Sequence, residues 1–255
     1  MDFWHTDVPN GGEALGWLGR LADHRYDPAT RNMTVNIGTS QALAVRAASH
    51  SPLVFDDPAR FRREGTDDQL AAVEALSESR VTANSTLKFL VATARNAVDR
   101  SEFVREASAN YRSTVDYGIG GALGGGLQRV VALIAAQMPT RLYYVTYPGN
   151  QFDTHVHQAD PHGRLLMYTA DAVRACMEDL KLIGRDKDVA VMMFTEFGRR
   201  VEENGSPRDR SRHGHGLKGG FYGRPPSLTD LDDGNLKMTT DFRSVYATMI
   251  REWLG

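Results

Sequence analysis

Cysteine is nearly absent: the 255-residue chain has one, Cys176. One thiol excludes an internal disulfide framework and a cysteine-based structural zinc site. Long apolar runs are missing too, with none near the ~18 residues needed to span a bilayer. The first residues, Met1-Asp2-Phe3-Trp4-His5, have no basic segment or apolar run and are not expected to form a signal peptide. Charge of one sign is also lacking: 30 Lys and Arg face 32 Asp and Glu, a net charge of −2. That balance gives no electrostatic case for a nucleic-acid or anionic-membrane partner. What is present, 41% apolar and 24% charged residues, is ordinary for a soluble globular protein; the length allows one α/β domain with a sizeable core or two small domains, and the chain is taken as a single domain over 1–255.

Periodicity then divides the chain. A short helix is expected near Ala14–Leu21. Thr34-Val35-Asn36-Ile37-Gly38 alternates and ends on glycine, so it predicts a strand. Residues 51–63 read as irregular. Thr66 begins a capped helical pattern, and a longer amphipathic helix is expected from Asn84 to about Asn110. The glycine-rich run 118–126 lacks phosphate-loop spacing and reads as a connection into a helix over 122–138. Leu142-Tyr143-Tyr144-Val145-Thr146-Tyr147 predicts a buried strand, 161–183 a helix ended by Gly184, and Val189–Phe194 a second buried strand. Strand, helix, strand in this order predicts parallel neighbours. A last helix, Phe242–Leu254, is expected to turn Val245, Met249 and Trp253 inward. Cys176 falls in a helical pattern as a packed thiol.

Parallel strands present ligands from the loops at their carboxyl ends. One such loop carries Asp153, Thr154, His155, His157 and Gln158; the other carries Thr195, Glu196, Phe197, Gly198 and Arg199. Five of the eight histidines lie between positions 155 and 215. Imidazole with carboxylate is a mixed nitrogen and oxygen donor set, suited to zinc, manganese or iron rather than magnesium or calcium. A bound divalent ion would lower the pKa of water or polarise an ester oxygen. Spacing alone leaves the bland alternatives open: His-x-His pairs also occur in exposed loops, and Asp-Thr also caps helices. Asp160 and His162 either extend the site or form the first turn of the helix. Arg199 and Arg200 suit an anionic group or a solvated surface, and the charge run 202–212 reads as a solvated loop.

Several stretches together resemble the domain-of-unknown-function 1501 family. Phe152-Asp153-Thr154-His155 with Gln158, His162 and Leu165-Leu166 resembles its "DTH…Q…H..LL" stretch. Thr195-Glu196-Phe197-Gly198-Arg199 resembles its "SEFGR" motif, His213-Gly214-His215-Gly216 its "DHG" motif, and Asp241-Phe242-Arg243-Ser244-Val245-Tyr246 its "DFR.VY" motif. Met1-Asp2-Phe3-Trp4-His5-Thr6 and Gly16-Trp17-Leu18-Gly19-Arg20 resemble its middle region. The resemblance implies the alkaline phosphatase and sulfatase superfamily, with a mostly parallel central sheet flanked by helices and metal ligands at the strand ends. It implies that Asp153 with His157 or His155 serves one divalent metal, zinc or manganese. Glu196 would stand in for the superfamily's Asp-His element, and His213 or His215 would be the later histidine ligand.

The family pattern begins before the position matching Met1, so the chain is expected to lack the amino-terminal part that normally supplies the nucleophile. Arg212 stands where the family has the aspartate of "DHG". The expected function is a metal-dependent hydrolase-type domain acting on small phosphate or sulfate esters, with Glu196 and Arg199 in catalytic roles. The alternative is a non-catalytic relative serving as a binding or structural module. Relatives commonly carry a twin-arginine export signal, which implies an exported setting.

Overall fold

The computed structural model describes residues 2–8, 15–28, 30, 32–61, 100–118, 121–147, 149, 151–154, 159–194 and 223–254. They belong to two units, Asp2–Thr114 with Gly125–Pro148, and Val115–Gly124 with Gly149–Gly255.

The first unit is built on β1 (Thr34–Ile37), β2 (Leu53–Phe55) and β3 (Leu142–Val145), in the order β2-β1-β3. Both pairings are parallel, with Val35 opposite Leu53 and Tyr143. The chain is therefore α/β, with a three-stranded parallel sheet and helices. All of β1 is buried, as expected of a central parallel strand covered on both faces. β2 falls inside the stretch expected to be irregular. Three residues are too few to show a period of two, so only pairing with β1 defines this strand.

Helix α1 (Asp2–Thr6) and helix α2 (Trp17–Arg25) lie beside a 3-10 turn, Leu43–Val45. The approach is close enough to exclude side chains. A Cβ on Gly16 would meet the Ala44 carbonyl oxygen at 2.1 Å, and one on Gly19 would meet the Arg46 carbonyl oxygen at 2.0 Å. Arg20 fixes α1 by donating from Nη2 to the Thr6 carbonyl at 2.6 Å. Helix α3 occupies residues 100–110; the rest of the two helices expected between 66 and 110 lies outside the described residues.

Helix α4 (Ala122–Ala135) buries Leu123, Leu127, Val130, Val131, Leu133 and Ile134. It is apolar around most of its circumference, as a buried helix is. A Cβ on Gly126 would come within 2.8 Å of Val145 Cγ1, so this glycine lets the helix seat directly on β3. The helix ends with Gln137 at φ 61°. Gln137 N–H bonds to the Ile134 carbonyl and Met138 N–H to the Leu133 carbonyl, the paired bonds of a Schellman cap. Glycine normally occupies that left-handed position. Gln137→Gly is expected to stabilise the protein by about 0.5–1 kcal/mol in urea unfolding.

The second unit contains helix α5 (Ala159–Leu182). Its buried positions His162, Leu165, Ala172, Val173, Ala175, Cys176, Asp179 and Leu180 recur at helical spacing on one side. It closes as the sequence predicts, with Gly184 at φ 70° and Arg185 N–H bonded to the Leu180 carbonyl at 2.8 Å. Among the described residues, no helix is long and apolar enough to cross a membrane.

Two expectations are corrected in this unit. Val189–Phe194 forms no strand, and Met193 is 43% exposed. An apolar run becomes a strand only where a ladder pairs it, and among the described residues β3 pairs with β1 only. Helix α6 (Phe242–Thr248), continued by a π-helical turn at Met249–Trp253, does not turn Val245 and Trp253 inward; they are 46% and 44% exposed. The buried residue is Tyr246, gripped edge-on by Phe242 and Phe194 at 5.2 and 6.0 Å. That aromatic pair at i, i+4 sets the inward face. Before α6, β4 (Leu231–Asp232) and β5 (Asn235–Leu236) form a hairpin. Its turn residues Asp233 and Gly234 both have positive φ, as a type I′ turn requires.

Candidate functional site

In a parallel sheet the ligand-bearing loops leave the carboxyl ends of the strands. β1 runs into Gly38-Thr39-Ser40, β2 into Asp56-Asp57, and β3 into Thr146. Gly38, Thr39, Val54, Phe55, Asp56, Asp57, Arg60 and Phe61 line a shallow cleft of about 190 Å³ at this edge. Both carboxylates are already employed locally. Asp57 caps the 3-10 turn Pro58–Arg60 by accepting from Ala59 N–H at 3.0 Å, and Asp56 accepts from Asp57 N–H at 2.7 Å. Arg60 donates from Nε to Asp57 at 3.1 Å and from Nη2 to Asp56 at 3.3 Å.

Thr34 and Asn36 lie on one face of β1, and both are buried. Alternation of polar and apolar residues usually marks a face open to water. Asn36 is 0% exposed; its Oδ1 accepts from Ala42 N–H at 2.7 Å, while its Nδ2 has no hydrogen-bond partner.

Of the residues singled out in the sequence, Asp153 is described. It is exposed and lies eight positions beyond Val145, the last residue of β3. Its neighbour Phe152 packs edge-on against the His162 ring at 5.8 Å. His162 is buried in the first turn of α5. Within the second unit, the "DTH…H..LL" resemblance thus has a packing reason: Phe152 and His162 hold the segment that carries Asp153. His155, His157, Glu196, Arg199, His213 and His215 lie outside the described residues. Among the described residues, no three of His, Cys, Asp and Glu gather as a group able to hold a metal ion.

The sequence reading missed a histidine–carboxylate pair. His50 is buried, with Nδ1 3.2 Å from Asp23 Oδ1 and Nε2 3.0 Å from the Asp27 carbonyl oxygen. A general base of this type keeps one nitrogen open toward substrate. Here the second nitrogen is closed by a carbonyl, so the pair is a clamp. Asp23 also accepts from the backbone N–H groups of Ala48, Ser49 and His50 at 2.6, 3.0 and 2.9 Å. Burial by itself raises its carboxyl pKa, but these backbone bonds and the His50 ring outweigh it and hold the group below the ordinary aspartate value. Partners 27 positions apart leave no spacing signal.

Cys176 is no nucleophile. It is buried, and burial first, then the charge of Asp179, push its thiol up to about 12. A reactive thiol needs the opposite shift. Asp179 is itself buried and accepts from the Tyr117 hydroxyl at 2.8 Å.

A family model described as "Protein of unknown function (DUF1501)" matches residues 5–220. Comparison with curated proteins gave no match, nor did comparison with solved structures.

Proposed function

The chain belongs to the DUF1501 family, and from that premise we propose a metal-dependent hydrolase-type domain acting on phosphate or sulfate esters, of the alkaline phosphatase and sulfatase kind. The observation that carries the reading is the donor-rich stretch Asp153-Thr154-His155-Val156-His157. In chain order it follows a strand of a parallel sheet, where such folds place ligands. Asp153 with His155 or His157, Glu196, and His213 or His215 would hold the ion. The mixed carboxylate and imidazole set fits zinc or manganese. When bound, such an ion polarises an ester oxygen as a Lewis acid. Glu196 serves as a further ligand or as the general base, and Arg199 holds the anionic group through its planar guanidinium. The substrate is a small anionic ester, and an exported location follows the habit of relatives.

The full chain is expected to take up zinc or manganese at micromolar concentration, read by calorimetry and elemental analysis. Asp153→Ala should weaken uptake at least ~10-fold. No uptake by the parent protein would sink the reading. Arg212, a cation directly beside His213, favours the second reading, a non-catalytic module that keeps the fold. Turnover of aryl phosphates and sulfates, abolished by Asp153→Ala, excludes the module; metal uptake without turnover supports it.

A further inference from the structure

We propose that the cleft between α3 and the last turn of α4 binds an organic ammonium ion, an amine carried on an apolar chain or ring. The cleft lies within the sheet-bearing unit. It holds about 290 Å³, close to the ~300 Å³ at which small-molecule pockets begin. Its α3 wall is one stripe of the helix: Phe103, Glu106, Ala107 and Asn110 recur at spacings of three and four, and Tyr111 extends it. Ala132, Ala135 and Ala136 form the other wall. Their small side chains leave the room between the helices, and a larger residue at any of them would take it up.

The walls select a positive head on an apolar body. Glu106 is exposed and, among the described residues, forms no ion pair. No lysine or arginine lines the cleft, so a guest meets the carboxylate directly. Helix α4 ends at Ala135 and brings the negative pole of its macrodipole to the same place. Phe103 and Tyr111 line the cleft half-buried, and aromatic faces attract cations through their quadrupole. An ionised carboxylate only accepts hydrogen bonds and an ammonium only donates them, so the two match. An anion is repelled by carboxylate, helix end and rings alike. A hard metal cation fits less well, because it needs six or more oxygen ligands and alanine walls supply none from their side chains. The apolar part of an amine covers those alanines instead. None of the lining residues is a proposed metal ligand, so this site stands apart from the hydrolase reading.

The test is a titration of the full chain at neutral pH and matched ionic strength with benzylammonium chloride, benzyl alcohol and sodium benzoate. The three probes share one ring and differ in charge. The backbone amide signals of Ala107, Asn110 and Tyr111 report occupancy in proton–nitrogen NMR spectra. Benzylammonium is expected to shift them with a millimolar Kd, ~5-fold or more tighter than benzyl alcohol, and benzoate is expected to leave them unmoved. Glu106→Gln, at an exposed position that tolerates the change, should weaken benzylammonium by ~2- to 5-fold, the range of an exposed ion pair, and leave benzyl alcohol unchanged. Ala135→Leu, also at an exposed position, fills the cleft without altering its charge and should abolish binding of both. Three results would overturn the proposal: no benzylammonium shift up to ~100 mM, benzyl alcohol binding as tightly as benzylammonium, or unchanged benzylammonium affinity in Glu106→Gln or in Ala135→Leu.

Discussion

Gly19→Ala is expected to unfold the sheet-bearing unit under conditions where the parent chain is folded, a loss on the order of 4 kcal/mol or more. A Cβ at this position would lie 2.0 Å from the Arg46 carbonyl oxygen and 2.4 Å from its carbonyl carbon. Both atoms are backbone, and no rotamer change relieves the overlap. Either α2 moves away from the 43–46 segment or the segment moves from the sheet, and each opens the core around Ala22, Ala44 and Val45, all 0% exposed. Gly163→Ala is the control. That glycine lies in α5 with open space around it, and alanine there should stabilise by up to ~1 kcal/mol. Urea midpoints of the two variants decide the matter. A Gly19→Ala midpoint close to the parent's would mean that α2 is not packed as described.

Asp23→Ala is expected to cost about 2–3 kcal/mol, because one carboxylate accepts from three consecutive backbone N–H groups and from His50 and hydrogen bonds to charged groups are the stronger kind. The effect depends on pH with a definite sign. The folded-state pKa of Asp23 is lowered, so its contribution is complete above the unfolded carboxylate value and is lost as pH falls through the lower folded value. The stability gap between parent and variant should therefore hold steady near neutrality and narrow below about pH 4. Denaturant unfolding across that range checks it; a gap that widens in acid contradicts the clamp.

Much of the architecture was legible in the sequence because it rests on local pattern. Thr34–Ile37 and Leu142–Val145 appear as strands where alternation or β-branched and aromatic residues predict them. α5 follows its apolar spacing to Gly184, which takes the left-handed conformation that glycine was there to supply. What escaped depends on partners. Val189–Phe194 has the composition of a buried strand but no ladder among the described residues. Leu53–Phe55 has the ladder but too few residues to show a period. Gly16 and Gly19 were visible as a motif, yet the reason for them, a backbone 25 or more positions away, was not. The Asp233-Gly234 turn between Leu231 and Leu236 was a readable hairpin signal that the sequence reading passed over. Of the proposed metal ligands only Asp153 is described, so the convergence of Asp153 with Glu196 stays a proposal. The burial of Asn36 could not be read at all, since an asparagine in an alternating strand looks solvent-facing until its face is seen to be covered.

The high thiol pKa of Cys176 has a practical use. At neutral pH the thiol, pushed up to about 12 by burial and the charge of Asp179, stays protonated. An alkylating reagent should therefore react chiefly when α5 opens. The chain's one sulfhydryl thus provides a built-in clock for local unfolding of the second unit, with no engineered label.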